Sequence, residues 1–268
     1  MKDKYFTSRT YLMGAAILGL LTALLRGLSL ALAFDGSYFT SGALPTLYRI
    51  VALLSLAALA LFPLLALKGR ISPTRTEITR AGQGGAALAA IFSFACFVSA
   101  CTISNTSLPA ILWLVGLFSL LFATVYFMLQ AAAVKASSSI YALLGCAAIF
   151  ALACLVAFTY FDVATPMNAP HKLDLHAALL GTILYLLYEL RAQAGIAKPL
   201  AMVSFNGIAL FLTLSVSVSD LVGTMVGASR GSLYLVQDLL LLALAVYIGA
   251  RGFADAALQN TIGKDKTV

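Results

Sequence analysis

The chain has 268 residues and a formal net charge of +7, with 62% of its residues hydrophobic and only 10% charged. A water-soluble domain carries roughly 25% charged residues to wet its surface, so this composition excludes an ordinary soluble enzyme or binding domain. The positive balance is not a nucleic-acid signature either: in so apolar a chain, basic residues collect beside the cytoplasmic face of a membrane, and the expected surroundings are the lipid bilayer.

A spanning helix needs about 20 mostly apolar residues. Eight such runs follow one another, at about 11–34, 46–67, 84–104, 108–133, 138–161, 173–193, 199–220 and 232–253. Backbone groups in lipid must be satisfied internally, so the runs predict helices. A β-barrel would show short segments of alternating polarity, and the sequence has none. The expected fold class is all-α, a polytopic transmembrane bundle of eight spans covering 1–268 as one transmembrane domain. The gaps and tails are too short to hold a soluble domain. The first run ends in Ala31-Leu32-Ala33, which mimics a signal-peptidase site. A run of about 20 residues exceeds the 7–15 of a signal peptide's apolar core, so it reads as an uncleaved first span. The four cysteines, Cys96, Cys101, Cys146 and Cys154, lie inside apolar runs without CxxC spacing, as small packing residues do.

Orientation follows from the basic residues. With the N-terminus inside, the outer side holds only Arg49, Lys172 and Arg230, while Arg26 lies within the first span. The remaining 13 of 17 lysines and arginines fall on the inner side, four of them between Lys68 and Arg80. This bias predicts both termini in the cytoplasm and residence in the cytoplasmic membrane. Trp113, Tyr160 and Tyr234 sit near expected outer ends, and Tyr11, Tyr126, Tyr188 and Tyr247 near inner ones, where amphipathic rings prefer to lie.

Small and polar residues form stripes at helical spacing. Span 1 carries Ala15, Gly19, Thr22, Arg26, Ser29 and Ala33; span 3 carries Ala89, Ser93, Cys96 and Ala100. Span 4 carries Gly116, Ser119, Ala123, Tyr126 and Gln130, and span 6 carries Ala178, Thr182, Tyr185 and Glu189. Span 7 adds Asn206, Ala209, Thr213, Ser217 and Asp220. Helices in lipid associate through small residues and hydrogen bonds, so these stripes should face one another. Pro63 should disturb span 2, because it removes a backbone donor.

Ionisable residues within spans are costly and mark functional paths. Arg26 should lie about 12 Å from the outer membrane edge and Asp238 about 9 Å, at 1.5 Å per residue. Their similar depth predicts a pair joining spans 1 and 8. With Tyr48, Arg49, Asp220 and Tyr234 they outline an outward-facing polar cavity between spans 1, 2, 7 and 8. Two arginines there would favour a small anionic or zwitterionic ligand, since charges interact more strongly away from water. Arg49, at a span end, also fits simple snorkelling to the interface.

A second polar set lies toward the inner side: Gln130, Glu189 and Asn206. Arg191 is two residues from Glu189 and off its helix face, so Glu189 should find Asn206, Gln130 or a cytoplasmic lysine. A hydrogen-bonded interfacial carboxyl is its plainer role, a proton carrier the sharper one. The loop at 161–176 holds both histidines, His171 and His176. Imidazole is a zinc ligand type, but residues five apart diverge on a helix, and no metal site is expected. Asp174 should stand in the first turn of span 6, favoured by the helix dipole.

No span contains a lysine for a retinal Schiff base, and HExxH and GxxxxGK[ST] are absent. Two histidines in one loop cannot ligate haem across a bundle, so no cofactor is expected. No nucleophile or acid–base set lies at one depth, which weakens an intramembrane enzyme. Two readings lead, a transporter-like or small-ligand-binding bundle, and an accessory, sensory or assembly subunit that binds another membrane protein or a second copy of itself; an intramembrane enzyme is the third.

Overall fold

The computed structural model describes residues 7–33, 42–67, 78–102, 110–134, 138–162, 170–196, 198–227 and 232–265. The apolar runs fold as α1 (Ser8–Ala33), α2 (Ala43–Phe62), α3 (Arg80–Cys101), α4 (Ala110–Ala131), α5 (Ser138–Tyr160), α6 (Pro170–Gln193), α7 (Pro199–Met225) and α8 (Ser232–Asp265). No strand occurs among the described residues. All eight helices are long and apolar enough to cross a membrane, as in a multi-pass membrane protein.

Local chemistry sets the ends. The Thr79 side chain accepts from the Gly82 N–H and caps α3, satisfying a donor the helix itself cannot pair. Pro199 opens α7 at its first turn, where a missing N–H costs nothing. At Pro63, α2 switches to a π-helical turn, Pro63–Leu67. Loss of a backbone donor in a continuing helix is met here by the wider register. The last helix runs well beyond its apolar stretch, to Asp265, since the segment after Ile248 is rich in good helix formers.

Helices α3 to α8 form a closed circuit: α3 contacts α4, α4 contacts α5, and so on to α8, which packs back on α3. Helix α1 lies along α7, and α2 rests on α1. The circuit closes tightly because α3 is small where it meets α8. A Cβ at Gly85 would lie 2.7 Å from the Tyr247 Cα, so only glycine lets the two backbones approach there. The stripes on α3, α4, α6 and α7 are buried along their whole lengths. On α1, Ala15, Thr22, Arg26 and Ser29 are buried while Ile17, Leu21, Leu24 and Leu28 are exposed. That division is the expected one for a helix with one face on protein and one on lipid.

Candidate functional site

Arg26 organises a buried charge cluster at the end of the bundle where α1 and α7 finish and α6 and α8 begin. Its Nε lies 3.0 Å from Asp174 Oδ2 on α6, and its Nη1 lies 2.8 Å from Asp220 Oδ1 on α7. Nη1 also donates to the Ser219 hydroxyl. That hydroxyl donates onward to the Ser215 carbonyl at 2.7 Å, which leaves its lone pairs for the guanidinium. Helix α2 joins through Tyr48, whose hydroxyl donates to Asp174 Oδ2 at 2.9 Å. His171, one turn before Asp174, places Nδ1 3.1 Å from Asp220 Oδ2. One carboxylate oxygen of Asp174 thus serves two donors, and Asp220 is shared between Arg26 and His171.

The six residues expected around an outer cavity separate into groups. Arg26, Tyr48 and Asp220 meet directly or through Asp174. Asp238 is buried and close enough for its charge to act on Arg26. The direct partners of Arg26 are nevertheless Asp174 and Asp220, not Asp238. The reason is packing: α1 runs along α7 and touches α8 only briefly. Equal depth fixes a level in the bundle but not which helices are neighbours. Tyr234 stacks obliquely on His171, with ring centroids 5.3 Å apart, and its hydroxyl donates to Asp162 Oδ2 at 2.6 Å. Arg49 is exposed. Successive helical residues point about 100° apart (3.6 per turn), so with Tyr48 turned inward, Arg49 faces away.

Asp174 is the fifth residue of α6, beyond the first turn, and it is held by side chains rather than by the helix end. The two histidines diverge. His176 Nε2 lies 2.7 Å from the Thr159 hydroxyl on α5, while His171 faces α7. Lys172 donates to the Asp162 carbonyl at 2.6 Å, tying the start of α6 to the end of α5. No group of three or more metal-ligating side chains occurs among the described residues.

The second cluster lies about 22 Å away along α6, fifteen residues on at 1.5 Å each. Glu189 Oε1 accepts from Tyr247 at 2.8 Å and from Arg251 Nε at 3.1 Å, both on α8. The partners of Glu189 are therefore on α8, and not Asn206, Gln130 or a lysine. Tyr126, Tyr185 and Tyr247 come from α4, α6 and α8, alternate helices of the circuit, and all three are fully buried. The Tyr185 hydroxyl, Glu189 Oε2 and Asn206 Oδ1 have no hydrogen-bond partner. Gln130 and Gln193 flank the Tyr126 hydroxyl, and Asn206 packs against Gly252 of α8.

His171, Asp174, Arg251 and the tyrosine set were not among the residues singled out from the sequence as sites. The signal was present on α6. His171, Asp174, Ala178, Thr182, Tyr185 and Glu189 recur by three or four and form one face. The chain matches no protein-family model, and no curated protein or solved structure matches it significantly.

Proposed function

We propose that this bundle is a transporter-like or small-ligand-binding protein of the cytoplasmic membrane, with the Arg26 cluster as its site. One observation carries the reading: α1, α2, α6 and α7 each send a buried polar or charged side chain to a single point. Packing alone does not require this, because small residues suffice to join helices in lipid. Ionisable groups concentrated within spans are the usual mark of a substrate or ion path.

The charge balance refines the ligand class. Arg49 is exposed, so one arginine faces Asp174 and Asp220, with Asp238 nearby. Arg26 is already held by Asp174 and Asp220, so an anion would have to displace a carboxylate, and a ligand with a positive centre fits better. A small cation or the ammonium end of a zwitterion meets that requirement. Arg26 is then the internal counter-ion that the ligand partly displaces. The site would open toward the outside, since the basic bias puts the Arg26 end there and both termini in the cytoplasm.

Orientation is checked with single cysteines in a cysteine-free background, at Val226 near the Arg26 end and Ile196 near the Glu189 end. Both positions are exposed. In intact cells an impermeant thiol reagent should label Val226→Cys and spare Ile196→Cys, and the reverse pattern would invert the orientation. For function, the melting temperature of the purified protein is followed with alkali-metal cations, zwitterionic amino acids and organic anions. A ligand at 100 times its Kd adds about 2.7 kcal/mol of stability. A cation or zwitterion should stabilise the wild type and lose that effect in Asp220→Asn. If no compound stabilises the wild type, or the gain survives in Asp220→Asn, the site assignment fails. The accessory-subunit reading then takes precedence.

A further inference from the structure

The Glu189 cluster is separate from the Arg26 site, and part of its hydrogen-bonding capacity is unmet. Glu189 is 1% exposed. Its Oε1 is filled by Tyr247 and Arg251, while Oε2 is sealed from solvent without a partner. The Tyr185 hydroxyl, equally sealed and without a partner, and the Tyr126 hydroxyl, flanked by Gln130 and Gln193, are both close enough to feel the Glu189 charge. A buried polar atom left unmet costs stability, and more when charged. Two such atoms, one of them a carboxylate oxygen, call for an occupant.

We propose that Glu189 Oε2, with the Tyr126 and Tyr185 hydroxyls, is a proton-binding site at the end of the bundle opposite Arg26. Charge sharing supports a proton. Arg251 interacts with both Glu189 and Asp255, one turn further along α8, so its guanidinium is not given to Glu189 alone. Helix α5 carries no charged residue, and α7 carries only Asp220, at the far end. The groups facing Glu189 are therefore Arg251, Asp255 and Tyr247 from α8, Tyr126 from α4, and Tyr185 on its own helix.

A proton delivered by hydronium forms an O–H bond at Oε2 and leaves water behind. Glu189 then becomes neutral, with Asp255 still acting on Arg251. The new O–H can donate to the Tyr185 oxygen, which meets both orphaned atoms at once. A metal cation fits less well, because Arg251 is bonded to the other oxygen of the same carboxylate. Tyr126 also approaches Gln193, which is partly exposed at that end of α6.

The chain contains two glutamates, Glu77 and Glu189, which makes the test selective without touching the site. Protein labelled with carbon-13 at glutamate side-chain carboxyls gives two signals, and Glu77→Gln removes one. In lipid nanodiscs the remaining signal should move to the carboxylic-acid position on acidification. The midpoint of that movement should shift in Tyr185→Phe and in Tyr126→Phe. A signal that stays at the ionised position at every pH where the protein remains folded overturns the proposal. A titration unaltered in both tyrosine variants overturns the tyrosines' part in it.

Discussion

Replacing Arg26 by leucine should lower the stability of the purified bundle by about 3–5 kcal/mol, the usual cost of stranding a buried charge. The value should lie toward the upper end, because the guanidinium serves Asp174 and Asp220 together. Asp220→Leu should cost a similar amount, since it leaves Arg26 and His171 without their shared carboxylate. Asp174→Leu should cost less, as its side chain is 26% exposed and water can replace part of the pair. The double variant Arg26→Leu/Asp220→Leu should recover much of the loss, because both charges leave together. Contacting residues show coupling of about 0.5–3 kcal/mol in such cycles. Thermal unfolding in detergent reads all four proteins. A cycle between Arg26 and Asp238 should show weaker coupling, and stronger coupling there than with Asp220 would contradict the geometry.

That comparison marks where sequence reasoning stopped. Hydropathy and spacing were enough for eight helices and for the inward faces of α3, α4, α6 and α7, because lipid imposes both length and stripe. Depth was also readable, since each residue advances a helix by a fixed rise. Adjacency was not. Asp238 and Asp220 lie at similar levels, and only the packing of α1 along α7 decides between them. Asp174 was displaced for a different reason. The stripe taken on span 6 starts at Ala178, although Asp174 and His171 continue it at the same spacing. Arg251 was counted with the cytoplasmic basic residues because it lies near the end of an apolar run. Helix α8 continues past it, and Arg251 shares a face with Tyr247 four residues earlier. A charge near a span end is thus the hardest to place: position along the helix permits solvent, and only rotation about its axis excludes it.

Arg251 offers the sharper test of that last point. An arginine that merely snorkels to the interface contributes within about 0.5 kcal/mol, as surface positions do. Arg251 is instead 8% exposed, and its Nε donates to a carboxylate that is itself sealed. Arg251→Leu should therefore cost about 3–5 kcal/mol, because Glu189 loses its cation and keeps only Tyr247 as a donor among the described residues. Arg251→Lys should recover only part of this. Lysine restores the charge but not the fixed planar donor aimed at Oε1. Glu189→Leu combined with Arg251→Leu should be more stable than Arg251→Leu alone, since the buried Glu189 carboxylate is no longer stranded without its cation. The melting temperatures of the three variants in detergent decide the matter. A loss for Arg251→Leu no larger than that of an exposed residue such as Arg191→Leu would place Arg251 at the interface and dissolve the second cluster as a site.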